Sequence, residues 1–327
     1  MRLCQIGCGE HARVAHGPAQ ARYASTHPGI ELAACCDLDP DRASSYARDF
    51  GFARHHTDAL AMLETERPDA VVLVVPDGLT CDLGCRVLER GLPLLLEKPP
   101  GRTVAEVDRL IAAAESRRPA VPHQVAFNRR FVPLMAELRR RLATAPPIQH
   151  VHYEMTRVDR RDPDFSTTAI HGIDAVRFLA GSDFAHVRFR YAEMSHLGPG
   201  VANIFMDGIM ASGASAHLAF CPVAGVVVER ATVHAHDHSF FLKVPMWGAF
   251  DSPGRLQHLV RGTLAGDVTG DALGGTAIYE GGGFYGEYEA FLGALAERRP
   301  PAPGLRESRQ SVDVAEHIRR RESEYRA

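Results

Sequence analysis

The chain has 327 residues, of which 45% are hydrophobic and 24% are charged. This length fits two domains that each bury a core, and this composition excludes an intrinsically disordered protein. Lys and Arg number 37 against 40 Asp and Glu, so the formal net charge is -3 and we expect no nucleic-acid partner.

No apolar run in the sequence reaches the length of a membrane span, and the residues after Met1 lack the pattern of a signal peptide. We therefore expect a cytoplasmic protein without membrane contact. The seven cysteines are scattered and odd in number, which indicates reduced, small apolar residues rather than a disulfide framework. Cys81 and Cys85 stand four apart on a predicted helix, but no second pair lies at metal-ligand spacing, so we interpret them as packing residues.

The first third of the chain alternates between predicted strands and helices. The predicted strands are 2–6, 31–36, 70–75, 93–96 and 121–127. The first predicted helix begins at residue 11, and the others span 40–50, 58–66, 80–90 and 104–116. Almost continuously apolar strands are typical of a sheet covered on both faces. The pattern predicts an α/β Rossmann domain, a doubly wound parallel sheet, in residues 1–122.

Beyond residue 122 the predicted strands are longer and alternate between polar and apolar residues. They span 149–157, 186–192, 214–220 and 225–234, with helices at 168–179, 285–297 and 306–321 and glycine-rich loops at 262–275 and 281–283. We expect residues 123–327 to form an α+β domain for substrate binding and oligomerisation, with a large, mostly antiparallel open sheet. The open face of such a sheet favours a homodimer or homotetramer.

A glycine turn, Gly7-Cys8-Gly9-Glu10-His11-Ala12, follows the first strand and opens a helix. This is the context of the dinucleotide-binding fingerprint. Gly7 permits the sharp turn, Gly9 lets a pyrophosphate approach the backbone, and Ala12 replaces the third glycine where helix and strand pack closely. A glycine turn that binds nothing is the alternative, and the surrounding β-α-β pattern favours the dinucleotide site.

Two charged residues follow later strands of the predicted sheet. Asp37 ends the second strand, where a carboxylate accepts hydrogen bonds from ribose hydroxyls and repels a 2′-phosphate, which favours NAD and leaves NADP open. An aspartate at a strand end is also a common turn former. Lys98 follows strand 93–96 at the ligand-binding edge, but its position alone fits a solvated lysine equally well.

The order of five motifs resembles a known family. They are the glycine turn, Asp37, Glu97-Lys98-Pro99, Asn128-Arg129-Arg130-Phe131 and His171-Gly172-Ile173-Asp174. With them the chain resembles, over nearly its whole length, the glucose-fructose oxidoreductase, inositol dehydrogenase and MocA (Gfo/Idh/MocA) family. The resemblance implies an NAD(P)-dependent dehydrogenase or reductase of a sugar, cyclitol or related polyol or ketone.

The resemblance also implies roles for two residues, with Lys98 hydrogen-bonding the reacting oxygen and His171 exchanging the proton. The chemistry agrees, because hydride transfer to a carbonyl builds alkoxide charge that a cationic donor and an imidazole stabilise and neutralise. Asp174 lies one helical turn after His171, where we expect it to orient the ring.

The expected cofactor contacts lie in the predicted Rossmann domain and just after it. They are Gly7, Gly9, Glu10, His11, Ala12, Asp37, Val75, Pro76, Glu97, Lys98 and Asn128. The expected substrate contacts are Arg157, Arg160, Thr167, Asp174 and Tyr285. His234, His236 and His238 alternate along the chain, but we interpret residues 235–239 as a hairpin turn and expect no metal site.

Two departures from the family pattern leave alternatives open. Thr167 stands four residues before His171, where the family often has an aspartate, so Thr168 or Asp164 would have to compensate. The segment Pro76-Asp77-Gly78-Leu79-Thr80 ends without a histidine that is familiar in the family. The alternatives are a reductase of a ketosugar or imine, a cofactor-binding sensor or regulatory protein without turnover, and a non-redox enzyme that uses NAD transiently, as in glycoside cleavage.

Overall fold

The computed structural model describes residues 1–246, 248–275 and 277–327. The chain divides into two units, Met1–Asn128 with Phe284–Val312 and Arg129–Gly283 with Asp313–Ala327. The first unit thus includes residues 123–128 and 284–312, which lie beyond the predicted boundary after residue 122. None of the helices in the described ranges is long and apolar enough to cross a membrane.

The described strands fall into two sheets. They are β1 (Arg2–Ile6), β2 (Glu31–Cys36), β3 (Arg54–His56), β4 (Ala70–Leu73), β5 (Leu94–Glu97), β6 (His123–Ala126), β7 (Ile148–Thr156), β8 (Phe184–Glu193), β9 (Ala202–Met210), β10 (Ser215–Cys221), β11 (Val228–Ala235), β12 (His238–Lys243), β13 (Arg255–Val260), β14 (Thr263–Thr269) and β15 (Glu324–Arg326). The described helices are α1 (Gly17–Thr26), α2 (Pro40–Phe50), α3 (Ala59–Glu66), α4 (Asp77–Glu89), α5 (Val104–Glu115), α6 (Pro133–Leu142), α7 (Ser166–Ala180), α8 (Ile278–Gly281), α9 (Phe284–Ala296) and α10 (Leu305–Arg319).

The first unit contains a six-stranded parallel sheet in the order β3-β2-β1-β4-β5-β6. All residues of β4 and β5 are buried, as expected for strands with helices on both faces. The strand order reverses between β1 and β4, which creates a switch point at the carboxyl ends of these strands. The predicted doubly wound sheet is confirmed.

Two segments outside residues 1–122 join this unit. β6 pairs in parallel with β5 and so completes the sheet. Near the end of the chain, α9 packs against α1, the helix that follows the glycine turn. Pairing and burial therefore assign these segments to the first unit, although the chain passes through the second unit between them.

The helices of the first unit begin where their side chains can cap them. Asp39 and Asp58 accept backbone N–H bonds at the starts of α2 and α3, and Thr103 with Glu106 forms a capping box at α5. The chain from Ala12–His16 is wound as a π-helix before α1 begins. This wider winding is frequent at functional sites.

The second unit contains a nine-stranded sheet in the order β14-β13-β12-β11-β7-β10-β9-β8-β15. Among the described strands of this sheet only the pairing of β7 with β10 is parallel, so the predicted mostly antiparallel sheet is confirmed. α7 packs on the face where Val151, Tyr153 and Met155 are buried. On the opposite face, His150 and His152 are partly exposed.

The predicted glycine-rich loop over 262–275 is wrong in its first half. Thr263–Thr269 forms β14, which pairs with β13 at the sheet edge. Gly262 lies in the turn between these strands with φ of +79°, a conformation that glycine adopts without strain. The glycines thus mark a hairpin turn and an edge strand. The predicted hairpin turn between β11 and β12 is confirmed.

Two glycines on α4 differ in what surrounds them. A Cβ at Gly84 would lie 2.7 Å from Leu110 Cδ2 on α5, whereas a Cβ at Gly78 would meet nothing within 4 Å. We predict that Gly84→Ala lowers the free energy of unfolding by about 1–2 kcal/mol, because overpacking outweighs the gain in helix propensity. The matched control Gly78→Ala should leave it unchanged or raise it by up to about 1 kcal/mol. Equal urea unfolding curves for the two variants would contradict the close packing of α4 on α5.

Candidate functional site

The glycine turn lies at the carboxyl end of β1 and is shaped by its contact with β4. Gly7 has φ of +91°, and a Cβ there would lie 1.9 Å from the carbonyl oxygen of Val74, so only glycine fits. A Cβ at Gly9 would meet nothing within 4 Å, which means that the backbone there borders open space. Ala12 is fully buried. Val75 and Pro76 follow β4 beside this turn, and Glu10 is exposed.

Asp37 lies at the end of β2, next to the glycine turn. Its Oδ2 accepts the backbone N–H of Cys8 at 2.8 Å, and its Oδ1 accepts that of Asp39 at 3.0 Å. The following residue, Leu38, is 86% exposed. An apolar side chain this exposed beside a carboxylate at the sheet edge is a candidate contact for an aromatic base. Leu38 was not among the residues predicted from sequence, although an apolar residue directly after the acid was a usable signal.

The Glu97 carboxylate at the end of β5 is buried and accepts three N–H bonds. Its Oε1 lies 2.9 Å from Nε2 of both His11 and His16, and its Oε2 accepts the backbone N–H of Lys98 at 2.9 Å. Burial alone would raise the pKa of Glu97, but the facing imidazoles hold this pKa well below its usual range. Glu97 therefore stays ionised and fixes the peptide at Lys98.

A chain of buried hydrogen bonds continues from His16 back to the glycine turn. Tyr288 Oη on α9 lies 2.9 Å from His16 Nδ1 and accepts from Gln20 Nε2 at 2.9 Å. Gln20 Nε2 also donates to Gln5 Oε1 at 2.7 Å, and Gln5 Nε2 donates to the carbonyl oxygen of Gly7 at 2.7 Å. The network thus connects the Glu-Lys pair to the turn. Sequence reasoning missed His16 and Tyr288, because their partners are distant along the chain.

The proton positions in this network follow from its geometry. Tyr288 oxygen accepts from Gln20, so its own O–H points to His16 Nδ1, and the ring proton of His16 lies on Nε2 and is donated to Glu97. Burial lowers the pKa of His16 more than Glu97 raises it, which agrees with a neutral ring. The ring nitrogens of His11 and His16 and the carboxylate of Glu97 offer possible metal-ligand atoms within 4.8 Å of one another. We interpret these three residues as a hydrogen-bonded network.

In the second unit, His171 lies on α7 and is 7% exposed. Its Nε2 lies 3.2 Å from Arg129 Nη1, and Arg129 Nε and Nη2 donate to Glu229 at 3.2 and 2.7 Å. Glu229 also accepts from Tyr153 Oη at 2.9 Å and from Arg157 Nη2. Burial alone would raise the pKa of Glu229, but Arg129 and Arg157 lower it to about 2. This buried cluster of Arg129, Arg157, Glu229 and Tyr153 is called the Glu229 cluster below.

Asp174, the residue expected to orient the His171 ring, is bound by an arginine. Arg130 Nε and Nη2 donate to the Asp174 carboxylate at 2.7 and 2.8 Å, and Arg129 Nη1 lies 3.2 Å from His171 Nε2. Both arginines lie in the segment Asn128–Phe131, which was quoted from the sequence only as part of a family motif. The orienting role of Asp174 stays a prediction.

The other predicted site residues are dispersed over both units. Arg157 is buried in the Glu229 cluster, whereas Arg160 is exposed and paired with Asp162 at 2.7 Å. Thr167 is partly exposed near the start of α7. In the first unit Asn128 is buried, and Tyr285 lies at the start of α9 with its ring centroid 6.2 Å from that of Tyr23. Asp164 Oδ1 accepts the backbone N–H of Ser166, the first residue of α7.

The doubly wound sheet, the turn that only glycine fits and the second unit with its mixed sheet define a two-domain protein with a Rossmann dinucleotide-binding domain. Residues 1–123 match the GFO_IDH_MocA family, described as "Oxidoreductase family, NAD-binding Rossmann fold". This match covers the residues of the predicted Rossmann domain, and it supports the resemblance to that family which the motifs indicate.

Curated relatives align with part of the chain. Scyllo-inositol 2-dehydrogenase (NAD(+)) of Bacillus subtilis is 28% identical over 170 residues, which are 49% of each chain. Inositol 2-dehydrogenase 2 of Saccharopolyspora erythraea is 31% identical over 197 residues, 56% of this chain and 55% of the relative. The chain thus spans about half the length of the curated relatives it matches.

Solved structures match the whole fold. Levoglucosan dehydrogenase in complex with NADH superimposes with a TM-score of 0.84 at 19% identity, covering 100% of this chain and 98% of that one. A dehydrogenase from Chromobacterium violaceum gives a TM-score of 0.84 at 20% identity, covering 98% of this chain and 95% of that one. At these identities the likeness shows the two-domain fold.

The Glu229 cluster makes the fold sensitive to acid. The pKa of Glu229 in the folded chain, about 2, lies below its ordinary value of 4.5. At pH values above this ordinary pKa the charged carboxylate therefore stabilises the fold by about 3 kcal/mol. That stabilisation is lost as the pH falls from about 5 towards 2. We predict that Glu229→Gln lowers the free energy of unfolding by about 3–5 kcal/mol at neutral pH, because it leaves two guanidinium groups beside a neutral amide.

The difference between wild type and Glu229→Gln should shrink steadily below about pH 4 in denaturant unfolding measured over a pH series. Glu324→Gln is the matched control, because Glu324 is paired with Arg326 on the surface and should change stability little. A difference for Glu229→Gln that does not depend on pH would contradict the ionised carboxylate.

Proposed function

We propose that the protein is an NAD-dependent oxidoreductase that transfers a hydride between nicotinamide and a sugar, cyclitol or related polyol or ketone. One observation carries this proposal. The carboxyl edge of the parallel sheet brings together the open glycine turn after β1, the Asp37 carboxylate after β2 and Lys98 after β5. These are the groups that a dinucleotide site with a proton-exchanging residue requires.

The residues at this edge fit an NAD molecule. The open space above Gly9 leaves room for a pyrophosphate, and the N–H groups that follow the turn would bind it. Asp37 would accept the ribose hydroxyls, and Leu38 would contact the adenine. Bound nicotinamide supplies the hydride acceptor or donor. The names of the relatives, which are inositol and levoglucosan dehydrogenases, support the polyol or sugar class of substrate.

Lys98 and His171 are the proposed catalytic residues. Glu97 fixes the backbone of Lys98, whose amino group would hydrogen-bond the reacting oxygen. Lys98 and His171 together would handle the proton of that oxygen. Arg157, Arg160, Thr167, Asp174 and Tyr285 stay predictions as substrate contacts. We also propose a cytoplasmic homodimer or homotetramer joined through the face of the nine-stranded sheet that carries the partly exposed His150 and His152.

The proposed function is tested by binding and turnover with the purified chain. Calorimetry should detect NAD binding, and a panel of inositols, monosaccharides and anhydrosugars should contain a substrate that changes the near-ultraviolet absorbance of the nicotinamide. No affinity for either nicotinamide coenzyme would refute the proposal. Tight NAD binding without turnover across the panel would instead favour a sensor or regulatory protein.

We predict that Lys98→Met lowers kcat by about 100-fold or more, because a proton-exchanging group is lost, while NAD affinity changes little. The matched control is Lys243→Met, since Lys243 is the other lysine of the chain and forms an ion pair with Asp251 at 3.5 Å in the second unit. That control should keep wild-type kcat. Full turnover by Lys98→Met would remove this lysine from the proposed mechanism.

The Asp37 charge should select between the two coenzymes. Asp37→Asn keeps an oxygen that accepts the Cys8 N–H but removes the charge that repels a 2′-phosphate. We predict that the ratio of NADP affinity to NAD affinity rises by about tenfold or more. Asp39→Asn, which alters the cap of α2 two residues later, is the control and should leave the ratio unchanged. Titration calorimetry with both coenzymes measures this ratio.

A further inference from the structure

A cation hydrogen-bonds the His171 ring. Arg129 Nη1 lies 3.2 Å from His171 Nε2, and a guanidinium has donors but no acceptor. The Nε2 lone pair therefore accepts this bond. A neutral imidazole that accepts at Nε2 carries its proton on Nδ1. The geometry thus fixes both the charge and the tautomer of His171.

The guanidinium that makes this contact is itself fixed. Two of its nitrogens, Nε and Nη2, donate to the Glu229 carboxylate, and Arg129 is 3% exposed. Glu229 is held in turn by Tyr153 and Arg157. Protonation of His171 at Nε2 would break the bond from Arg129 and place two cations in contact within a buried cluster. Both effects disfavour an imidazolium.

The described cluster that contacts the ring carries net positive charge. The Glu229 cluster contains two guanidinium groups and one carboxylate, which sum to a charge of +1. Burial raises the pKa of Tyr153, so this phenol stays neutral. On α7 itself, Asp174 is bound by both donor nitrogens of Arg130. Thr167, one helical turn before His171, carries no charge that would stabilise an imidazolium.

We infer that His171 is a neutral hydrogen-bond donor to the substrate oxygen, held in that state by Arg129 as a positioning residue, and that Lys98 alone exchanges the proton. This inference rests on the proposed function. In alcohol oxidation the C–H bond breaks and its electron pair leaves as hydride to the oxidised nicotinamide. The O–H proton passes to the neutral amine of Lys98, and the Nδ1–H of His171 donates to the carbonyl oxygen that forms.

The first experiment reads the ring directly and needs neither substrate nor cofactor. Nitrogen chemical shifts of labelled histidine should show His171 neutral, with its proton on Nδ1, between about pH 5 and pH 8. His236, whose side chain is 78% exposed, serves as the internal reference for a ring in contact with solvent. Arg129→Met should let His171 titrate near the ordinary histidine value of about pH 6.5, and Arg129→Lys, which keeps a cation, should not. Titration of His171 near pH 6.5 in the wild-type chain would overturn the inference.

The second experiment separates donor from base by isosteric replacement. The Asn amide nitrogen occupies the place of imidazole Nδ1, and the Gln amide occupies that of Nε2. His171→Asn should keep kcat within about tenfold of wild type, whereas His171→Gln should lose about 100-fold or more, as expected for a lost donor. Equal losses of that size in both variants, with a wild-type limb of kcat/KM near pH 6.5 that both abolish, would make His171 the proton-exchanging group. A chain without any turnover refutes the proposed function, and the shift experiment then still decides the state of the ring.

Discussion

The buried Glu97 carboxylate is the contact on which the geometry of the first unit depends. A charge removed from water is costly unless it is hydrogen-bonded, and Glu97 is stabilised by two imidazoles and by the backbone N–H of Lys98. His16 in turn needs Tyr288, which lies on α9 near the end of the chain. The position of the lysine after β5 thus depends on a helix that follows residues 129–283 of the second unit in the chain.

The composition of the chain supports the proposed catalytic role of Lys98. Of the 37 basic residues only Lys98 and Lys243 are lysines, and the remaining 35 are arginines. Arginine predominates wherever the chain forms fixed ion pairs, as at Glu229 and Asp174. Guanidinium groups stay protonated at any ordinary pH, whereas a lysine amine can release and accept a proton. A lysine at the ligand-binding edge therefore retains a chemical capacity that the chain's prevailing cation lacks.

The predictions from sequence were accurate where local chemistry decides the structure. β1, β2 and α2 have the predicted bounds, because short apolar strands and a capped, amphipathic helix are specified by neighbouring residues. The Gly7 turn was predictable for the same reason, since its backbone conformation excludes other residues. The strand and helix that carry Glu97 and His171 were likewise placed within about two residues, which is the usual uncertainty of element ends.

Long-range pairing explains what sequence could not predict. Arg129 and Glu229 are 100 residues apart, and His16 and Tyr288 are 272 apart, so no local pattern connects them. The return of α9 to the first unit and the edge strand β14 are also decided by tertiary contacts rather than by propensity. The sequence shows that Thr167 stands where a carboxylate was expected. That Arg129 contacts the His171 ring could be seen only in the folded chain.

The two buried carboxylates place opposite demands on the histidines beside them. Glu97 is an anion that accepts hydrogen bonds from imidazole N–H groups. Glu229 is an anion that is bound by two arginines, and one of them, Arg129, also donates to His171. The Glu229 cluster therefore presents net positive charge to the ring rather than negative charge. Hydride transfer in either direction passes through negative charge on the substrate oxygen, and a neutral donor backed by a fixed cation stabilises that charge without gaining or losing a proton.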